Sequence, residues 1–306
     1  MKASTAQFTK TITIFGLFAT LMAQCTTEET TREFNLQGHR GCRGLMPENT
    51  IPAFIKAVEI GVTTLELDLA VSAENELIVS HEPYFNSDIC LDPEGREFGD
   101  NQALEYNIYK MTYEEIAAFD CGSKPHPRFP HQENFRVSKP RLADVIDQVH
   151  DHCRMHNISL PEWNMEIKSR PHTDDSYHPR PEVFVELLHN LLKEKNITEQ
   201  STVQSFDIRV LQAYRQLAPE VRLALLIDNN LGGPKNIEKL GFVPEIYSPY
   251  YVMVTPDLVK WCHSKGMLIY PWTVNEKPAM QQMLDYGVDG LITDYPDRFH
   301  ELTKAQ

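Results

Sequence analysis

From Phe34 onward the apolar positions of this chain alternate between two rhythms. Short runs with a period of two, or with apolar residues throughout, fit strands. Stretches in which apolar residues return every three or four positions fit helices. The strand rhythm predicts strands at residues 35–41, 63–71, 160–168, 202–206, 222–228, 245–250, 267–273 and 290–293, with a short extended piece at 76–80. The helical rhythm covers 49–61, 142–156, 182–195, 208–217, 236–240, 256–265 and 277–286, with a last helix from Asp297. In the first of these helices Ile51, Phe54, Ile55 and Val58 share a face, Asn49 reads as the cap and Gly61 as the stop. Such regular alternation implies parallel strands joined by helical crossovers. Eight strand–helix units in about 270 residues predict an α/β fold, a closed (β/α)8 TIM barrel. Residues 83–141 break the rhythm. They are rich in Pro, Gly, Asp, Asn and His, and only 112–119 reads as helical. A segment this long without regular structure is usually functional, so it reads as an insertion after the second strand, over the barrel mouth.

In such barrels the chemistry sits at the carboxyl ends of the strands. His39 and Arg40 end the first strand, and Glu66 and Asp68 lie on the second. Glu166 and Lys168 lie on the third, Gln204 and Ser205 on the fourth, Trp272 and Thr273 on the seventh, and Asp294 follows the eighth. Glu66 and Asp68 are two apart, so both point into the barrel while Leu65, Leu67 and Leu69 face the helices. One acid at a strand end is ordinarily a solvated rim charge. Three acids facing one lumen repel unless a cation sits among them. Oxygen ligands of this kind suit one divalent cation, Ca2+ or Mg2+, and do not select zinc. His39 and His81 form a candidate acid–base couple. Arg40 offers a fork for a phosphate and Lys168 a point charge. Asn49 has a possible ligand role beside its capping role. Trp272 reads as a substrate contact or a core aromatic. Asp294 reads equally as a turn residue before Tyr295–Pro296, and Gln204 and Ser205 as filling of the lumen.

The chain has 306 residues and a net charge of -14. It lacks the basic excess that a nucleic acid or an anionic membrane surface would call for. An anionic small-molecule substrate would therefore need local cations at its site. Lys2 and Lys10 flank the start of an apolar run at 12–23 that is too short to span a bilayer permanently. Residues 1–25 thus read as a secretory leader, cut after Ala23 or ending in a lipidated Cys25, although Gln24 is a poor match before a lipoprotein cysteine. Residues 26–33 read as a polar tether and 34–306 as the barrel, with its insertion at 83–141. The expected location is the periplasm, or the membrane surface as an anchored lipoprotein. Cys90 and Cys121 fall in one irregular segment and read as a disulfide or as two free thiols.

The chain resembles the glycerophosphodiester phosphodiesterase family, whose members are TIM barrels like the phosphatidylinositol phosphodiesterases. The resemblance rests on His39-Arg40-Gly41, Pro47-Glu48-Asn49-Thr50, Ala53-Phe54, Glu66-Leu67-Asp68, His81, Glu166-Ile167-Lys168, Gln204-Ser205-Phe206, Pro271-Trp272-Thr273-Val274-Asn275 and Thr293-Asp294-Tyr295-Pro296. It implies a barrel with an insertion after the second strand. It also implies hydrolysis of glycerophosphodiesters to sn-glycerol 3-phosphate and an alcohol, by way of a cyclic phosphate. By the same resemblance Glu66, Asp68 and Glu166 would hold the metal. His39 would be general base, His81 general acid, and Arg40 and Lys168 would bind phosphate. Glu82 stands where the family usually has aspartate, and Ser72-Ala73-Glu74 replaces a more usual Thr-x-Asp. Two alternatives share these residues. One is a phospholipase D-like or lysophospholipase D-like enzyme, and the other a surface lipoprotein that binds phosphodiesters without cleaving them.

Overall fold

The computed structural model describes residues 1–3 and 34–304, so nearly all of the expected leader and tether lies outside the described residues. From Phe34 the strands are β1 (Asn35–Gly38), β2 (Thr64–Val71), β3 (Leu77–Val79), β4 (Glu162–Ile167), β5 (Ser201–Ser205), β6 (Arg222–Ile227), β7 (Ile246–Pro249), β8 (Leu268–Ile269) and β9 (Gly290–Thr293). The helices are α1 (Ile51–Ile60), α2 (Asp100–Glu105), α3 (Tyr113–Ala117), α4 (Leu142–His156), α5 (Pro181–Glu194), α6 (Ile208–Leu217), α7 (Gly233–Leu240), α8 (Pro256–Ser264), α9 (Lys277–Tyr286) and α10 (Pro296–Lys304).

Parallel ladders run in the order β8-β7-β6-β5-β4-β2-β1-β9. The two ends of that path meet through backbone hydrogen bonds, from Val274 N–H to Ile292 O and from Ile292 N–H to Pro271 O, both 2.9 Å. This is the expected (β/α)8 barrel. β3 lies off the ring and runs antiparallel to β2.

The period-two reading of β2 holds. Leu65, Leu67 and Leu69 are fully buried in the layer between strands and helices, with Phe54, Val145 and Phe184 from the surrounding helices. Removing each such side chain from water is worth roughly 1.5–3 kcal/mol. Among the described residues no helix is long and apolar enough to cross a membrane.

Several boundaries differ from the sequence reading. The first strand stops at Gly38, not at residue 41, because Arg40 (φ 50°) and Gly41 (φ 85°) turn the chain into the left-handed region. The cap of α1 is Thr50, whose side chain accepts from Ala53 N–H, and not Asn49. The seventh ring strand is reduced to Leu268–Ile269, and α7 starts earlier, on Gly233-Pro234. The insertion also holds more structure than one short helix. It contains α2 and a small core of its own, in which Phe85 stacks on Phe119 and is joined by Phe98, Ile108 and Ile116. Cys90 and Cys121 form a disulfide inside this core, while Cys42, Cys153 and Cys262 are buried free thiols.

Candidate active site

Register brings the acids together. In the β2–β4 ladder Asp68 stands opposite Glu166 and Glu66 opposite Asn164. One oxygen each from Glu66, Asp68 and Glu166 lies within 4.8 Å of the others, and all three residues are buried. Each carboxylate is held in place. Glu66 accepts from the backbone N–H of Arg40 (2.9 Å) and from Gln204 Nε2 (2.7 Å). Asp68 accepts from Asn49 Nδ2 at 2.9 Å. Lys168 Nζ lies 2.7 Å from Glu166 and 3.0 Å from Asp68, and Arg40 Nε lies 3.2 Å from Asp68. Asn164, two residues before Glu166 on the same face, donates to Gln37 and Gln204 and locks the amide layer beneath the acids.

The electrostatics divide the three acids. Burial, then the charges of Asp68 and Glu166, push Glu66 well above the usual carboxylate range. Burial and Asp68 also raise Glu166, against the pull of Lys168. Burial would raise Asp68 too, but Lys168 and Arg40 outweigh it and hold Asp68 well below that range. Two acids that resist ionisation and one that ionises readily, all offering oxygen, form a donor set that a hard divalent cation would neutralise. The residues present therefore fit the ion that the sequence called for.

The histidines come from neighbouring elements. His39 leaves the end of β1 on the Arg40–Gly41 turn, where a Cβ on Gly41 would lie 2.7 Å from the carbonyl carbon of Ala53. His39 Nδ1 lies 2.6 Å from Asp294 Oδ1, and its Nε2 lies 3.9 Å from Glu66. Burial lowers His39 to about 4 against the opposing pull of Asp294, so the ring is neutral near pH 7. Burial would raise Asp294, but His39 and Arg43 outweigh it and keep that carboxylate ionised. His81 follows β3, and its Nδ1 lies 2.6 Å from Glu82 Oε1. Ser72 accepts from Glu74 N–H and Glu76 N–H, which closes the β2–β3 turn.

A cavity of about 400 Å³ opens over these groups. His39, Arg40, Glu66, His81, Glu166 and Lys168 line one part of it, and Phe206, Tyr250 and Trp272 line another. Trp272 is pinned by its indole N–H on Ser248 O (2.9 Å) and meets Phe206 edge-on. Arg128 reaches the cavity from the insertion. Asn49 is 2% exposed and its amide is committed to Asp68, so it does not line the cavity.

Three contributors escaped the sequence reading. Gln204, read as lumen filling, holds Glu66. Glu48, read as part of a helix start, binds Arg40 and Arg43. Arg43 ties Asp294 to the first turn. The signal for Arg43 and Glu48 was their charge within ten residues of His39, but a charge in a turn is ordinarily solvated.

Comparison with known proteins agrees with this geometry. A model described as "Glycerophosphoryl diester phosphodiesterase family" matches residues 39–298. The chain is 31% identical over 268 residues to a glycerophosphodiester phosphodiesterase of Caldanaerobacter subterraneus, covering 87% of this chain and 96% of the relative. A crystal structure from Silicibacter pomeroyi DSS-3, of a protein assigned as a glycerophosphoryl diester phosphodiesterase, superposes with a TM-score of 0.78 at 28% identity, over 90% of this chain and 94% of that one. An Oleispira antarctica phosphodiesterase, solved in complex with the product sn-glycerol-3-phosphate, shares the fold at a TM-score of 0.69 and 18% identity, over 88% and 96% of the two chains. By a match that runs from His39 into the first turn of the last helix, the chain belongs to the glycerophosphoryl diester phosphodiesterase family.

Proposed function

We propose that this phosphodiesterase hydrolyses glycerophosphodiesters to sn-glycerol 3-phosphate and an alcohol, using one divalent cation and a histidine pair. The observation that carries the reading is the meeting of Glu66, Asp68 and Glu166 within 4.8 Å, beside a cavity that His39 and His81 both line. Those three acids would hold the ion. When bound, Ca2+ or Mg2+ supplies a Lewis acid that lowers the pKa of a glycerol hydroxyl and offsets phosphoryl charge.

The side chains do the rest. Arg40 and Lys168 present cationic groups to the cavity and would orient the phosphate and stabilise charge on it as the new bond forms. His39, neutral near pH 7, would take the proton of the attacking glycerol hydroxyl at Nε2. His81 would give a proton to the departing alkoxide as its P–O bond breaks. Water then opens the cyclic phosphate, with the two histidines exchanging roles. Trp272 would form an apolar wall against the substrate.

The test is release of glycerol 3-phosphate from glycerophosphocholine, with and without chelator, by the wild type and by His39→Ala and His81→Ala. Chelation is expected to abolish release, and each substitution to lower turnover by roughly 10²–10⁴-fold with the fold intact. Chelator-resistant turnover would remove the metal from the reaction, and near-normal turnover in either variant would remove that histidine.

A further inference from the structure

We propose that Asp294 is a positioning residue that holds His39 in the tautomer protonated at Nδ1, leaving Nε2 as a bare acceptor on the cavity side. The inference rests on the reading of His39 as the group that takes the proton. It starts from strand pairing. β1 and β9 are parallel neighbours with Gly38 opposite Thr293, so the next residues, His39 and Asp294, emerge side by side although 255 positions separate them. Asp294 is fully buried.

Each of its oxygens has two donors. Oδ1 takes His39 Nδ1 (2.6 Å) and Arg43 Nε (2.9 Å), and Oδ2 takes Arg43 Nη2 (3.2 Å) and Asn275 Nδ2 (2.8 Å). Three of these four donors cannot change role. A guanidinium has no acceptor. Asn275 is fixed because its Oδ1 already accepts from Asp294 N–H (2.9 Å) and Thr293 Oγ1–H (3.3 Å). Only the imidazole can be either donor or acceptor. An ionised carboxylate accepts and never donates, so the neutral ring must carry its hydrogen on Nδ1. Nε2, 3.9 Å from Glu66 at the cavity wall, is then free to take a proton.

The same count says what Asp294→Asn would do. An amide NH2 turned towards Arg43 Nη2 and Asn275 would forfeit two hydrogen bonds. Turned towards His39 it forfeits only the bond from Arg43 Nε, because the ring can turn acceptor at Nδ1. The variant is therefore expected to flip His39 to the Nε2-protonated tautomer, which cannot act as base at the cavity.

The experiment combines turnover with ¹⁵N NMR of histidine-labelled full-length protein at pH 7.5, the His39 signals being assigned by their absence in His39→Ala. Wild type is expected to show protonated Nδ1 and bare Nε2. Asp294→Asn is expected to show the reverse, with kcat down on the order of 10³–10⁴-fold and KM changed by less than about threefold, the pattern of a wrong tautomer in a hydrogen-bonded acid–histidine pair. Protonated Nε2 in the wild type overturns the inference whether or not the variant folds. Loss of turnover in His39→Ala beside near-normal kcat in Asp294→Asn overturns it alone. Near-normal turnover in His39→Ala overturns the base reading, and the inference with it.

Discussion

His39 shows how burial sets the state of one side chain. Its pKa falls from 6.5 to about 4 on folding, chiefly because the ring leaves water. Between those values the unfolded chain binds a proton that the folded chain refuses. Stability from this group is therefore fully present above pH 6.5 and is lost as pH falls towards 4, by about 3 kcal/mol at most. Asp294, whose folded pKa is depressed, contributes stability that is lost only below its ordinary value of 3.8, outside this window. Urea midpoints of chelator-treated protein at pH 7 and pH 4.5 are expected to differ less for His39→Gln than for wild type, and equal differences would contradict the assignment. Other single residues were legible to different degrees. Period two alone placed Glu66 and Asp68 inward. The partner of His39 was not legible, because it depends on the first strand meeting the last.

The turn after β1 concentrates several constraints in three residues. It aims His39, lends Arg40 N–H to Glu66, and passes Gly41 against Ala53 with a φ of +85°. Gly41→Ala is expected to displace this turn and cost about 1–3 kcal/mol of stability, with a larger loss of activity than of fold. A variant with unchanged denaturant midpoint and turnover would show that the turn tolerates a side chain. The strand rhythm alone marks the ring strands, and Gly61 marks the end of α1. The turn itself reads as strand, since Asn35 to Gly41 gives no period that separates an extended residue from a left-handed one. Asn49 reads as the cap because two capping residue types stand next to each other. Thr50 took the cap, which freed the Asn49 amide for Asp68. The insertion was opaque for a different reason. Of its two α-helices only α3 shows in the sequence; α2, with six residues, is too short to show a period, and the core of stacked rings arises from contacts across turns.

Across the whole molecule, the net charge of -14 and the buried acids raise the same question of what balances them. Arg40 and Lys168 offset part of the cluster, yet burial and the neighbouring carboxylates keep Glu66 and Glu166 raised, so protons compete with a cation for these oxygens. Binding of the ion is therefore expected to release protons and to tighten as pH rises. At a hundredfold excess over its Kd the ion is expected to stabilise the fold by about 2.7 kcal/mol. The measurement closest to the heart of this reading is calorimetric titration of Ca2+ or Mg2+ into chelator-treated protein, repeated with Glu66→Gln and Glu166→Gln. One site per chain in the wild type, with proton release, and loss of that site in both variants is the expected result. No binding in the wild type, or unchanged affinity in the variants, would contradict it.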